Sequence, residues 1–145
     1  MKFTGIHHIG IAVTNLEESL TRWATLFGAA PGPVEEIPER GMRLVHLRFA
    51  EGSQIELLAP LGEASPVARF LESRGEGVQH VTLEVDDIEA AVAELTRAGL
   101  QLVSEKPQTG AGGARVAFIH PRSLNGVLVE IRQGREPDPP AAQLP

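Results

Sequence analysis

"HIGIAVTNLE" at residues 8–17 recurs later in the chain as "HVTLEVDDIE" at residues 80–89. Each stretch opens on a histidine, continues with apolar residues at every second position and closes on a glutamate. Apolar residues with a period of two indicate a strand that has one face against a core. A repeat of this kind indicates two copies of one structural unit, and this decides the fold.

The first copy, at about residues 4–60, is predicted to form a strand, a helix and three further strands. The first strand is expected at 5–13, and four apolar residues at helical spacing then predict the helix: Leu16, Leu20, Trp23 and Phe27. Asn15 is the expected N-cap of this helix, and Gly28 is its expected end. After a segment rich in proline and glycine, the strands are expected at 34–37, 42–50 and 53–59.

The second copy, at about residues 78–133, has the same predicted order. A strand at 80–85 leads into a helix that is capped by Asp86 or Asp87 and ends near Gly99. The strands that follow are expected at 100–104, 114–121 and 126–132. Between the copies, residues 65–75 predict a short linker helix that begins at Ser65.

Neither copy can bury its apolar surface alone, because half a sheet with one helix does not close a core. The two copies are therefore expected to form a single domain over residues 1–134. The predicted fold class is α+β, with two tandem βαβββ modules that form a curved, mainly antiparallel sheet and with the helices outside. The proline-rich segment at 135–145 is expected to be a disordered tail.

The composition excludes several classes of function. The chain has no cysteine, so it can form neither a disulfide framework nor a thiolate metal site. Its net charge of −6 argues against nucleic acid as a partner, and no long apolar run predicts a membrane segment. These features are typical of a cytoplasmic protein.

Two histidines and two glutamates occupy corresponding positions in the two copies. Strand alternation places His8 and His80 on the face opposite the apolar residues that pack beneath the helix. Glu56 and Glu130 each stand between two apolar residues in the last strand of their copy. A buried carboxylate is costly unless it is paired or bound to a metal, and two imidazoles with two carboxylates suit a divalent transition metal such as Co, Ni, Mn, Zn or Fe. The curved sheet would then surround a metal site.

Taken one at a time, these residues have simpler explanations. A single histidine at the start of a strand is usually structural or exposed, and a single strand glutamate usually faces solvent. The recurrence of both residue types in both copies is what favours metal binding.

The sequence resembles the vicinal oxygen chelate superfamily, whose members pair βαβββ modules around a metal, and within it the methylmalonyl-CoA epimerases. Four segments carry the resemblance, and the earlier ones resemble the superfamily broadly: "HIGIAV" at 8–13, "IELLAPLG" at 55–62, "SPVARFL" at 65–71 and "GEGVQHVTLEVDDI" at 75–88. A fifth segment, "GAGGARVAFIHPRSLNGVLVEI" at 110–131, is more specific to the epimerases.

The resemblance implies that His8, Glu56, His80 and Glu130 are the ligands of one divalent metal ion (Co, Ni, Mn or Zn), which are the residues that the repeat also singles out. It implies a homodimer that interconverts (2R)- and (2S)-methylmalonyl-CoA, an acyl-CoA substrate, through a metal-stabilised enolate. Inversion at C2 needs an acid–base group on each face of the enolate, and Glu130 and Glu56 are the expected pair.

The chain departs from the epimerase pattern at two positions. Some epimerases have glutamine where Glu56 stands, whereas glyoxalase I enzymes have glutamate. Leu44 aligns with a glutamate that is proposed as the second base in some epimerases, and His46 stands on the same strand face two residues later. His46 is therefore a second candidate for the proton transfer that is otherwise assigned to Glu56.

Two other functions are compatible with the same fold. One is a lactoylglutathione lyase of the glyoxalase I type, which would use the same four ligands. The other is a ligand-binding member of the superfamily that needs no metal. An extradiol dioxygenase is disfavoured, because its iron takes two histidines and one carboxylate, which leaves Glu56 unexplained.

Overall fold

The two sequence copies correspond to two compact units in the computed structural model, which describes residues 1–134. The N-terminal unit is His8–Gln79, and the C-terminal unit contains Met1–His7 and the described residues from His80 onward. The predicted tail at 135–145 lies outside the described residues.

The N-terminal unit consists of a strand, a helix, four further strands and a linker helix. Its elements are β1 (Phe3–Ala12), α1 (Leu16–Phe27), β2 (Ala30–Pro31), β3 (Glu35–Ile37), β4 (Met42–Arg48), β5 (Gln54–Pro60) and the linker helix α2 (Pro66–Arg74). Only the part of β1 from His8 onward belongs to this unit. Strand β4 pairs antiparallel with β2, β3 and β5, and β5 pairs parallel with β1.

The C-terminal unit repeats this arrangement with fewer strands. Its elements are β6 (Gly77–Val85), α3 (Ile88–Arg97), β7 (Gln108–Thr109), β8 (Arg115–Ile119) and β9 (Val129–Gln133). Only the part of β6 from His80 onward belongs to this unit. Strand β8 pairs antiparallel with β7 and β9, and β9 pairs parallel with β6. In both units the first strand is therefore parallel to the last one, and antiparallel pairs predominate. The predicted α+β class with two βαβββ modules is confirmed.

Three helix starts and the end of α1 are set by residues that the sequence indicated, whereas α3 ends at Arg97 with Ala98, not Gly99, as its C-cap. Asn15, Ser65 and Asp87 each accept a hydrogen bond from the backbone N–H three residues later, at 3.0–3.1 Å. Gly28 ends α1 in the left-handed conformation, with φ 65°. None of the helices in the described part of the chain is long and apolar enough to cross a membrane.

Each helix covers one face of the sheet in its own unit. In the N-terminal unit Leu16 packs against strand residues that include Val45 and Leu57. In the C-terminal unit Ile88 packs in the same way against strand residues that include Ile131. Because Leu57 and Ile131 directly follow Glu56 and Glu130, strand alternation places the two carboxylates on the faces away from the helices.

Glu17 and Glu89 are the last residues of the two repeated stretches. Each forms an ion pair with an arginine, and the two arginines stand at equivalent strand positions in the two units. Glu17 on α1 contacts Arg43 on β4 at 2.6 Å, and Glu89 on α3 contacts Arg115 on β8. The hydrogen bond from Arg43 lowers the pKa of the Glu17 carboxyl below its ordinary value. The pair therefore stabilises the fold above that ordinary pKa, and the contribution is lost as the pH falls through the lowered value.

Several predicted strand bounds differ from the structure, including the start of β6, which lies at Gly77 and not at residue 80. At 100–104 the chain forms only an isolated bridge between Leu102 and Ile119, and the short strand β7 pairs with the other end of β8, at Arg115 and Val116. The strand predicted at 126–132 starts three residues late, because Asn125 and Gly126 have φ values of 55° and 80°. Such backbone forms a turn and cannot continue a ladder.

Gly41 permits a close contact between a turn and the start of α2, and its replacement is expected to destabilise the protein. Its φ is 64°, and a Cβ atom there would lie 2.6 Å from the Cβ atom of Ser65. Gly28 has the same backbone conformation, with φ 65°, but a Cβ atom there would have no described neighbour within 4 Å, so it is the matched control. We expect Gly28→Ala to cost about 1 kcal/mol from the left-handed backbone alone.

Gly41→Ala should cost roughly 2–4 kcal/mol, because overpacking against Ser65 adds to the same backbone term. Urea unfolding of both variants measures the difference. Equal losses of stability in the two variants would show that the contact with Ser65 relaxes without cost.

Candidate metal centre

In the N-terminal unit, His8 and Glu56 lie side by side on buried backbone. Their side chains are only 3% and 5% exposed, and the His8 Nε2 atom is 3.3 Å from Glu56 Oε2. The parallel register pairs Gly10 with Glu56, and His8 stands two residues before Gly10 on the same strand face. The pairing of β1 with β5 therefore brings together two residues that are far apart in the sequence.

His46 also contacts the Glu56 carboxylate. It lies directly opposite Glu56 in the β4–β5 register, and its Nε2 atom is 2.9 Å from Glu56 Oε2. Its ring packs edge-on against the His8 ring, with 5.1 Å between the ring centroids. One carboxylate oxygen thus has two imidazoles beside it. Leu44, which aligns with the second base of some epimerases, is fully buried in the core.

In the C-terminal unit, His80 and Glu130 are the corresponding buried pair. Their side chains are 4% and 9% exposed, and His80 Nε2 lies 3.9 Å from Glu130 Oε1. This distance is too long for a hydrogen bond. The same carboxylate oxygen instead accepts a hydrogen bond of 2.7 Å from the hydroxyl group of Thr82.

Thr82 is the site residue that the sequence analysis did not single out. It is fully buried and lies opposite Glu130 in the parallel β6–β9 register. The sequence does place the Thr82 and His80 side chains on the same face of the strand, because the two residues are two positions apart. Its contact with Glu130 depended on a register between strands that the sequence pattern does not specify.

The two carboxylates consequently have different neighbours. Glu56 lies opposite His46, whereas Glu130 lies opposite Phe118 at the corresponding position of the β8–β9 ladder. The residue on the parallel strand is Gly10 for Glu56 and Thr82 for Glu130. Glu56 therefore lies beside two imidazoles, His8 and His46, whereas Glu130 accepts a hydrogen bond from a hydroxyl group.

The C-terminal unit carries a second charged pair further along the same strands. Arg132 donates a hydrogen bond of 2.8 Å to Glu84, and the backbone N–H of Gly134 donates to the other oxygen of Glu84. The corresponding positions of the N-terminal unit are the buried residues Ala12 and Leu58. Glu84 is thus the ion-pair partner of Arg132, although it shares a strand face with His80.

The predicted ligands fit a divalent metal ion by residue type and by burial. Among the described residues, His8 and Glu56 of the N-terminal unit and His80 of the C-terminal unit are buried side chains of the types that hold metal ions. Glu130 adds a second buried carboxylate. Buried carboxylates beside imidazoles are the donor set that suits Zn, Co, Ni or Mn.

Comparisons with known proteins agree with the resemblance seen in the sequence. Residues 7–118 match the family model of the glyoxalase/bleomycin resistance protein/dioxygenase superfamily. The chain is 40% identical over 130 residues to the mitochondrial methylmalonyl-CoA epimerase of Dictyostelium discoideum, covering 88% of this chain and 77% of that protein. It is 39% identical over 130 residues to an ethylmalonyl-CoA/methylmalonyl-CoA epimerase of Cereibacter sphaeroides, covering 88% of this chain and 96% of that protein.

A solved structure shows the same fold. A variant of the Streptomyces coelicolor methylmalonyl-CoA epimerase, in complex with 2-nitronate-propionyl-CoA, superposes with a TM-score of 0.87 at 31% sequence identity. The match covers 92% of this chain and 99% of the other. The predicted similarity to the methylmalonyl-CoA epimerases is therefore confirmed in both sequence and structure.

Proposed function

Because this chain belongs to the glyoxalase/bleomycin resistance protein/dioxygenase superfamily, we propose that it is a metal-dependent epimerase that interconverts (2R)- and (2S)-methylmalonyl-CoA. The observation that carries the proposal is the identity of about 40% to epimerases over most of the chain. The buried histidine and glutamate pair in each unit supports it.

We propose that His8, Glu56, His80 and Glu130 together hold one divalent metal ion. When bound, such an ion supplies a Lewis acid that stabilises the negative charge on the thioester oxygen of the substrate. The protein keeps both carboxylates in buried surroundings, where charge interactions are stronger than in water.

Glu130 and Glu56 are the proposed acid–base pair. The proton at C2 of methylmalonyl-CoA lies between a thioester carbonyl and a carboxylate, so its removal gives an enolate. Inversion requires that one group removes the proton and that another returns a proton to the opposite face of the planar carbon. Each unit contributes one buried carboxylate, which supports assigning one face to each.

His46 lies beside Glu56 and is the second candidate for the acid–base role of that carboxylate. The imidazole lies 2.9 Å from the carboxylate oxygen and is partly exposed, with 21% of its side chain accessible. A homodimer and a cytoplasmic location remain predictions from the sequence.

Deuterium exchange at C2 tests the reaction. In heavy water the purified, metal-loaded protein is expected to incorporate deuterium at C2 of methylmalonyl-CoA and to leave a methylglyoxal–glutathione mixture nearly unchanged. Mass spectrometry of the thioester and absorbance of the lactoylglutathione product measure the two activities. The protein after treatment with a chelator is the control, and its activity should return when the metal is restored.

The glyoxalase I reaction is the second candidate, and the carboxylate at position 56 is the observation that favours it. Rapid turnover of the hemithioacetal without exchange at C2 of methylmalonyl-CoA would move the assignment to a lactoylglutathione lyase. Tight binding of an acyl-CoA without metal and without either reaction would identify a ligand-binding protein.

A further inference from the structure

The hydroxyl group of Thr82 makes a short, fully buried contact with one oxygen of Glu130. The Oγ1–Oε1 distance is 2.7 Å, and Thr82 has no exposed surface. Distances in this range are typical of strong hydrogen bonds from a hydroxyl group to a carboxylate. Because a β-branched side chain has a restricted χ1 angle, the strand backbone of β6 fixes the direction of this donor.

The contact has no equivalent in the N-terminal unit. The parallel strand residue opposite Glu56 is Gly10, which has no side chain to donate. Glu56 is contacted instead by His46 from the antiparallel neighbour β4, where the C-terminal unit has Phe118. Glu56 is therefore contacted by imidazoles, His46 and His8, whereas Glu130 accepts a hydrogen bond from a hydroxyl group.

We propose that Thr82 is a positioning residue for Glu130, and this inference rests on the proposed function. Its hydroxyl group holds one carboxylate oxygen, so the plane of the carboxylate is fixed and the second oxygen is directed to the metal or to the C2 proton. Without the hydroxyl group the carboxylate can rotate about its last torsion angle, which is intrinsically soft. Residues that orient metal ligands typically contribute about 10–100-fold to metal affinity or activity.

The test compares Thr82→Val with Thr82→Ser. Valine has nearly the shape of threonine but lacks the donor, whereas serine keeps the donor. We expect Thr82→Val to lower kcat by about 10–100-fold with little change in KM, and to weaken Co²⁺ binding by a similar factor. Thr82→Ser should recover kcat to within about threefold of the wild type, because the donor is present but less rigid.

Thr21→Val is the matched control for loss of a hydroxyl group. The Thr21 hydroxyl donates to the backbone carbonyl of Glu17 on the exposed side of α1. We expect its kcat and its Co²⁺ affinity to equal those of the wild type. Steady-state kinetics with methylmalonyl-CoA, titration with Co²⁺ alone and urea unfolding are measured for all four proteins.

A wild-type kcat and Co²⁺ affinity in Thr82→Val would overturn the proposal. It is also wrong if Thr82→Ser is as impaired as Thr82→Val, since a packing role would then explain both losses. If the wild type binds Co²⁺ but has no epimerase activity, the proposed function fails while the Co²⁺ titrations still decide the role of Thr82. A wild type that neither binds Co²⁺ nor turns over substrate refutes both proposals.

Discussion

Replacement of His80 or Glu130 by alanine is expected to remove the bound metal and the epimerase activity together, while the protein remains folded. Both side chains are buried, at 4% and 9% exposed, and each substitution removes one proposed ligand. Loss of Lewis-acid stabilisation should lower kcat by on the order of 10³-fold or more, since such stabilisation contributes several kcal/mol. Elemental analysis of the purified variants and their kcat for methylmalonyl-CoA measure the two effects.

His7→Ala is the control for the loss of an imidazole. His7 directly precedes His8 on β1, so strand alternation points its side chain to the other face. This variant should keep the metal content and kcat of the wild type. A normal metal content in both His80→Ala and Glu130→Ala would refute the proposed metal centre.

Replacement of Glu56 by glutamine is expected to separate metal binding from catalysis. Glutamine keeps a carbonyl oxygen that can bind the metal, as the epimerases with glutamine at this position suggest, but it cannot accept the C2 proton. If Glu56 is the second acid–base, Glu56→Gln should retain metal and lose on the order of 10²-fold or more in rate. Metal analysis combined with C2 exchange in heavy water measures both properties.

His46→Phe is the paired variant, because it introduces the residue type that lies opposite Glu130 in the other unit. It should stay near the wild-type rate if Glu56 moves the proton itself. If Glu56→Gln turns over normally and His46→Phe fails, the second acid–base is His46, and the mechanism with two glutamates is wrong. Because His46 Nε2 lies 2.9 Å from Glu56 Oε2, the two variants test two neighbouring groups at the same place in the site.

Much of the secondary structure followed from local sequence patterns. The helix caps at Asn15 and Ser65 were predicted correctly, and Asp87 is one of the two residues predicted to cap the later helix. These caps follow from the sequence because the capping side chain and the N–H group that donates to it are only three residues apart. The strand predicted at 100–104 was wrong, since a run of suitable residues forms a strand only where a partner continues the ladder.

The faces of the four predicted ligands were also determined by the sequence itself. Successive side chains of a strand point to opposite faces of the sheet. Where an apolar side chain packs beneath the helix, the side chains directly before and after it must therefore point to the other face. His8 and His80 precede such residues, and Glu56 and Glu130 stand between them. These assignments required no knowledge of which strands pair.

Only the tertiary structure decided which residues hold the two carboxylates. Thr82 and Glu130 are separated by 48 positions, and their hydrogen bond exists because β6 and β9 pair parallel in one particular register. The contact between His46 and Glu56 depends in the same way on the β4–β5 register. A shift of one residue along either strand would turn these side chains to opposite faces, and the register is set by packing across the whole unit.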